Sequence, residues 1–176
     1  MSIQLSDLLN VCESLWPLDG AEEWDAPGLV TGKKTQSVSR VLLTVDVTNE
    51  IIDEAIDGEF DVVIAHHPFL LRSVNTVAED APKGLALSKA IRSNLAIYAA
   101  HTNADVVENG VSDVLAKALG LIESKPLLGE VIGTGRVGNL PSEIKLGDFA
   151  RLIAKVLPST ATGIRVAGDY EKSICR

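Results

Sequence analysis

Three short apolar runs, 38–46, 61–65 and 95–100, alternate with segments whose apolar residues recur every three or four positions. This alternation constrains the fold more than any other feature, because strand and helix periodicities cannot be exchanged without exposing apolar side chains. Between the first two runs, Thr48 is placed to cap a helix whose inner face is Ile51, Ile52, Ala55 and Ile56, and Gly58 to end it. Between the second and third runs a helix is predicted over 82–92, with Pro82 in its first turn. A strand–helix–strand–helix–strand order implies parallel strands joined by right-handed crossovers. The predicted fold is α/β: a layered sheet with a parallel β-α-β-α-β core and helices on both faces, followed by a smaller α+β segment.

The flanking segments fill in this frame. Leu5, Leu8, Leu9, Cys12 and Leu15 mark an amphipathic helix, with Ser6 or Ser2 as its cap and Pro17 as its stop. Residues 18–37 are rich in Gly, Pro, Asp and Thr and read as loop. A helix over 111–119 is closed by Gly120. Beyond it the rhythm changes. A strand with turns is predicted within 130–140, an amphipathic helix over 146–157 on Leu146, Phe149, Leu152, Ile153 and Val156, and a strand over 163–167; a further strand could start at Ile174. Residues 1–125 are accordingly read as one α/β domain and 126–176 as the start of a second, truncated α/β segment.

Composition narrows the functional classes. The 176 residues are enough for a proper core, and with aromatics at 4% that core must be aliphatic. Against 16 basic residues stand 24 acidic ones, a formal charge of -8, and no basic cluster exceeds Lys33-Lys34. Such a surface disfavours nucleic acid. Cys12 and Cys175 make neither a disulfide framework nor a thiolate metal site, so a reducing cytoplasm is expected. The first nine residues do not resemble a signal peptide, and no stretch has the length of a membrane span.

In a parallel sheet all strands end on one edge, and ligands bind outside those ends. Just past the three runs stand Asp46, then His66-His67-Pro68, then His101 with Asp105. The chain contains only three histidines, and all fall on this edge. Imidazole with carboxylate suits Zn, Mn, Fe or Ni. Neighbouring histidines in a regular strand point to opposite faces, but at a strand end followed by proline both rings can approach one metal or two adjacent ones. His101 and Asp105 stand four apart with Asn103 between them, so one can ligate while the other orients a ligand or a water. The blander alternative is a set of hydrogen-bonded core histidines, with Asp105 as a turn former or helix cap. Gly133-Thr134-Gly135-Arg136-Val137-Gly138 has dinucleotide-loop spacing, but it neither follows a clear strand nor opens a helix, and reads as glycine-rich turning.

Several segments resemble one family. Glu23-Trp24-Asp25-Ala26-Pro27-Gly28-Leu29, Leu43-Thr44-Val45-Asp46-Val47-Thr48, Ile64-Ala65-His66-His67-Pro68 and Ala99-Ala100-His101-Thr102-Asn103-Ala104-Asp105 are similar to motifs of the dinuclear-metal proteins named after Ngg-one-interacting factor three, also known as GTP cyclohydrolase I type 2 homologues. Gly135-Arg136-Val137-Gly138 is similar to a later turn of that family. The resemblance implies two divalent metal ions, with family ligands falling on His66, His67 and Asp105 and with His101 beside them. It also implies a ring-like homohexamer, and a further histidine and glutamate from a C-terminal segment. No histidine follows His101 here, so the chain is read as the N-terminal portion of a longer protein.

The function expected from these readings is a dinuclear metal-dependent hydrolase. His66 would hold one ion and His67 the other, Asp105 would ligate or bridge, and Asp46 or His101 would orient water or a ligand. A nucleotide is the substrate suggested by the family resemblance. The alternative is a non-catalytic metal-binding or scaffold protein.

Overall fold

The computed structural model describes residues 2–175. Its elements, in chain order, are β1 (Ile3–Gln4), α1 (Leu5–Leu15), a 3-10 turn at Leu18–Gly20, β2 (Gly28–Thr31), β3 (Ser37–Val38), β4 (Val41–Thr44), α2 (Asn49–Asp57), β5 (Val62–Ala65), α3 (Pro82–Arg92), β6 (Ala96–Ala99), α4 (Thr102–Val106), α5 (Val111–Ala118), β7 (Ile122–Lys125), β8 (Val137–Asn139), β9 (Ile144–Lys145), α6 (Leu146–Val156) and β10 (Ser173–Ile174). Contacts divide the chain into two compact units, Met1–Ala104 and Asp105–Arg176.

The first unit is built on a mixed four-stranded sheet in the order β2-β6-β5-β4. As expected, β4, β5 and β6 are parallel, with Val41 to Thr44 in register with Val62 to Ala65, and these with Ala96 to Ala99. Alternate residues of β5 enter different apolar clusters. Val63 joins Ile97, Ile52, Ala55, Ala86 and Ala90, which include the inner faces of α2 and α3. Val62 joins Ala96, Leu5 and Val38, while Tyr98 joins Cys12 of α1. Thr48 caps α2 by accepting from the Ile51 amide at 3.3 Å. Pro82 opens α3, where its missing N–H costs nothing.

Some local expectations fail. The stretch 18–37 is not all loop. Gly28–Thr31 adds an antiparallel edge strand to β6, with Gly28 at φ 109°, a backbone conformation that glycine tolerates. The cap of α1 is Gln4, whose amide donates to Asp7 Oδ2 at 3.1 Å, and not Ser2 or Ser6. The apolar run from 38 is split: Ser37–Val38 pairs with β1, and only Val41–Thr44 joins the main sheet.

In the second unit β7 pairs antiparallel with β8, and β10 with β9. The strand expected over 163–167 does not form. Its apolar residues find no partner strand and lie in an exposed stretch, and Gly163 turns the chain at φ 61°. The ladder forms instead at Ser173–Ile174. The 133–138 stretch is organised by Arg136. Its guanidinium, 7% exposed, donates to the carbonyls of Gly133, Gly135, Val106 and Val107 at 2.7 to 3.2 Å and faces Asp113 Oδ1 at 3.6 Å. These bonds explain the stretch as a structural turn, in keeping with the rejection of a dinucleotide loop.

Candidate metal centre

The parallel ladder continues one step past β5. The His66 amide donates to Thr44 O at 3.1 Å and the His67 amide to Val45 O at 2.8 Å. Both histidines are therefore anchored by backbone pairing where the strand ends, and Pro68 turns the chain away. On the next strand the Ala100 amide donates to Ala65 O at 2.9 Å, which brings His101 alongside. Ring centroids lie 5.2 Å apart for His66 and His67, 5.1 Å for His66 and His101, and 5.6 Å for His67 and His101. One ring nitrogen from each imidazole falls within 4.8 Å of the others.

The other contacts of the rings decide which nitrogen can ligate. His66 Nδ1 is 3.0 Å from Ala100 O, His67 Nδ1 is 2.7 Å from Asp46 Oδ1, and His101 Nδ1 is 2.8 Å from Asp25 Oδ1. A carbonyl or ionised carboxylate only accepts, so each neutral ring carries its proton on Nδ1 and has its basic lone pair on Nε2. Histidines that ligate metals are typically oriented in this way, by an oxygen acceptor on the second nitrogen. The donor set therefore fits a borderline divalent cation.

The His101 arm is the more enclosed. The His101 side chain is 15% exposed and that of Asp25 0%, whereas His67 and Asp46 are 51% and 64% exposed. Asp25 also accepts from the Thr102 amide at 3.0 Å, from the Thr102 hydroxyl and from the Ala26 amide at 2.7 Å. Burial works against its ionisation, but the bonds from Thr102, His101 and Ala26 outweigh it and hold the carboxyl below the usual aspartate range. Thr102 Oγ1 in turn accepts from the Glu22 amide at 3.0 Å. Buried Asn103 accepts from the His101 amide at 3.0 Å and donates to Trp16 O at 2.8 Å, tying the end of β6 to the segment after α1.

Of the residues expected from the sequence, the structure brings His66, His67 and His101 together and sets Asp46 behind His67. Asp105 lies in α4, at the first residue of the second unit. Asp25 was not singled out as a site residue. Its only signal was its place in the Glu23–Leu29 motif, 76 residues from the histidine it holds. Trp24 beside it is exposed and meets His101 edge-on, with centroids 5.9 Å apart.

A mixed α/β scaffold with three imidazoles converging at its strand ends defines the class: an α/β protein with a candidate divalent-metal centre. The chain belongs to the Duf34/NIF3 (NGG1p interacting factor 3) family, which it matches over residues 3–176. It is 42% identical over 177 residues to the GTP cyclohydrolase 1 type 2 homolog of Streptomyces coelicolor, covering 97% of this chain and 62% of that protein. The corresponding homolog of Clostridium perfringens is 31% identical, with 98% and 66% covered. The chain thus spans less than two thirds of the length of these relatives. Among solved structures, the Bacillus cereus protein related to NIF3 superimposes with a TM-score of 0.89 at 24% identity, over 98% of this chain and 75% of that one, a likeness of fold. Reduced HcgD from Methanocaldococcus jannaschii superimposes with a TM-score of 0.80 at 26% identity, over 88% and 60%.

Proposed function

We propose that His66, His67 and His101 bind divalent metal through Nε2, and that the full-length protein uses this centre as a metal-dependent hydrolase. The observation that carries the reading is the acceptor behind every ring: Ala100 O for His66, Asp46 for His67 and Asp25 for His101. Buried structural histidines need hydrogen bonds too, but they have no reason to converge on one another. Their convergence within 4.8 Å suits two neighbouring ions at least as well as one, since paired catalytic metals stand roughly 3.5–4 Å apart. Asp105 is proposed as a further ligand, and zinc, manganese, iron or nickel as the metal.

When bound, such ions polarise a carbonyl or phosphoryl oxygen and make coordinated water acidic near neutral pH. The chain's own part is to fix three lone pairs. Asp25 and Asp46 also place negative charge behind two of the rings, raising ligand basicity. A nucleotide substrate is proposed from the name borne by the curated relatives, GTP cyclohydrolase 1 type 2 homolog. A ring-like homohexamer, a cytoplasmic location and a metal-binding part within residues 1–125 are proposed alongside it, on a layered scaffold with helices on both faces of the sheet. The separate apolar clusters on alternate β5 residues support that layering.

The test is metal analysis of the purified protein, followed by a hydrolysis screen over nucleotides and phosphoesters with and without chelator. Bound metal with chelator-sensitive turnover is expected. Metal without turnover on any substrate would favour the non-catalytic metal-binding reading.

A further inference from the structure

A cavity of about 390 Å³ opens directly beside His67, within the first unit. That volume lies in the range that holds a small ligand, roughly 300–1,000 Å³. Its charged lining consists of Asp46, Glu50 and Lys83, around an apolar part that includes Phe69. The three charges are not equivalent. Asp46 accepts from His67 and is committed to orienting that ring. Glu50 stands in the first turn of α2. Lys83 is the only lysine or arginine in the lining and is half-buried. Its ammonium is held by Arg72 O at 3.4 Å and over the Phe69 ring at 5.8 Å from the centroid, and among the described residues it makes no ion pair. No acidic residue occupies the first turn of its own helix.

We infer that this cavity is the substrate pocket of the proposed metal centre, and that it takes a phosphate-bearing small molecule whose phosphate is held by Lys83. The inference rests on the metal reading for its charge balance. A divalent ion on His67 offsets Asp46, leaving Lys83 and the remaining metal charge against Glu50 alone. The pocket then favours an anion. A lysine suits phosphate as a compact point charge with three donors. The pocket adjoins the proposed metal centre through His67, which forms part of its lining.

The experiment measures binding and does not depend on turnover. Phenyl phosphate, benzoate and phenol are titrated into wild type, Lys83→Gln and Lys83→Arg, each zinc-free and zinc-loaded, with ligand-observed NMR as the readout and circular dichroism as the fold check. Phenyl phosphate should bind several-fold tighter than benzoate or phenol. Lys83→Gln should weaken it roughly tenfold, the worth of one charge-assisted hydrogen bond, and Lys83→Arg should restore most of the loss. Zinc content measured in parallel reports the histidines separately. If zinc fails to load, the proposed function falls; if zinc loads and phenyl phosphate binding still does not depend on Lys83, this inference alone falls. Phenyl phosphate binding that is undetectable in wild type, equal in Lys83→Gln, or matched by benzoate or phenol would overturn it.

Discussion

His101 Nδ1 donates to the buried Asp25 carboxylate at 2.8 Å, across 76 residues of sequence. This bond fixes the tautomer of a largely enclosed ring of the cluster and couples the loop before β2 to the end of β6. Asp25→Asn retains the shape but loses the charge and the acceptor-only character. It should weaken zinc binding about 10- to 100-fold with little change in far-ultraviolet circular dichroism. Competition against a chromophoric zinc chelator measures it.

Asp61 offers a pH test away from the centre. Burial opposes its ionisation, but the Ser39 and Arg40 amides at 2.7 and 2.9 Å and the Ser39 hydroxyl at 3.0 Å outweigh it and lower the pKa. A folded pKa below the unfolded value means stability that is present above about pH 4 and lost as pH falls through the folded pKa. Wild type should therefore exceed Asp61→Asn in urea midpoint at pH 7, and the gap should shrink steadily below pH 4. A gap that stays constant with pH would show that the carboxylate charge contributes nothing.

Gly84 lies in α3, where alanine would ordinarily be preferred by roughly 1 kcal/mol. Here a Cβ would stand 2.0 Å from the Ala78 carbonyl oxygen. Gly84→Ala should thus destabilise, by about 1–3 kcal/mol in chemical denaturation, as the 77–78 backbone is pushed away.

Arg136 provides the corresponding test in the second unit. Removing its guanidinium takes a charged donor from the carbonyls of Val106, Val107, Gly133 and Gly135. Arg136→Met should cost on the order of 2 kcal/mol or more in denaturant unfolding. It should also raise hydrogen-exchange rates around 133–138.

Periodicity and strand-end chemistry made much of the first unit legible. The parallel strands β4 to β6 follow from the helices between them, and the convergence of His66, His67 and His101 follows from where those strands end. The 82–92 helix is found as Pro82–Arg92. What stayed hidden depends on contacts between distant, aperiodic segments. β2 is four residues bounded by glycine, too short to show alternation, and it exists because β6 offers an edge. Asp25 sits in a loop with no pattern pointing to His101. Arg136 read as part of a glycine-rich turn because its role lies in carbonyls up to 30 residues away. The 163–167 stretch shows the converse: β-branched residues without a partner strand do not make a strand.

The most direct measurement is zinc stoichiometry and affinity by equilibrium dialysis with mass-spectrometric metal analysis, on wild type and on His66→Ala, His67→Ala and His101→Ala. Wild type should retain zinc, and each variant should lose affinity by at least about tenfold, since each removes one of the proposed imidazole ligands. Wild type that retains no zinc, or three variants that bind it as wild type does, would contradict a metal centre on these histidines.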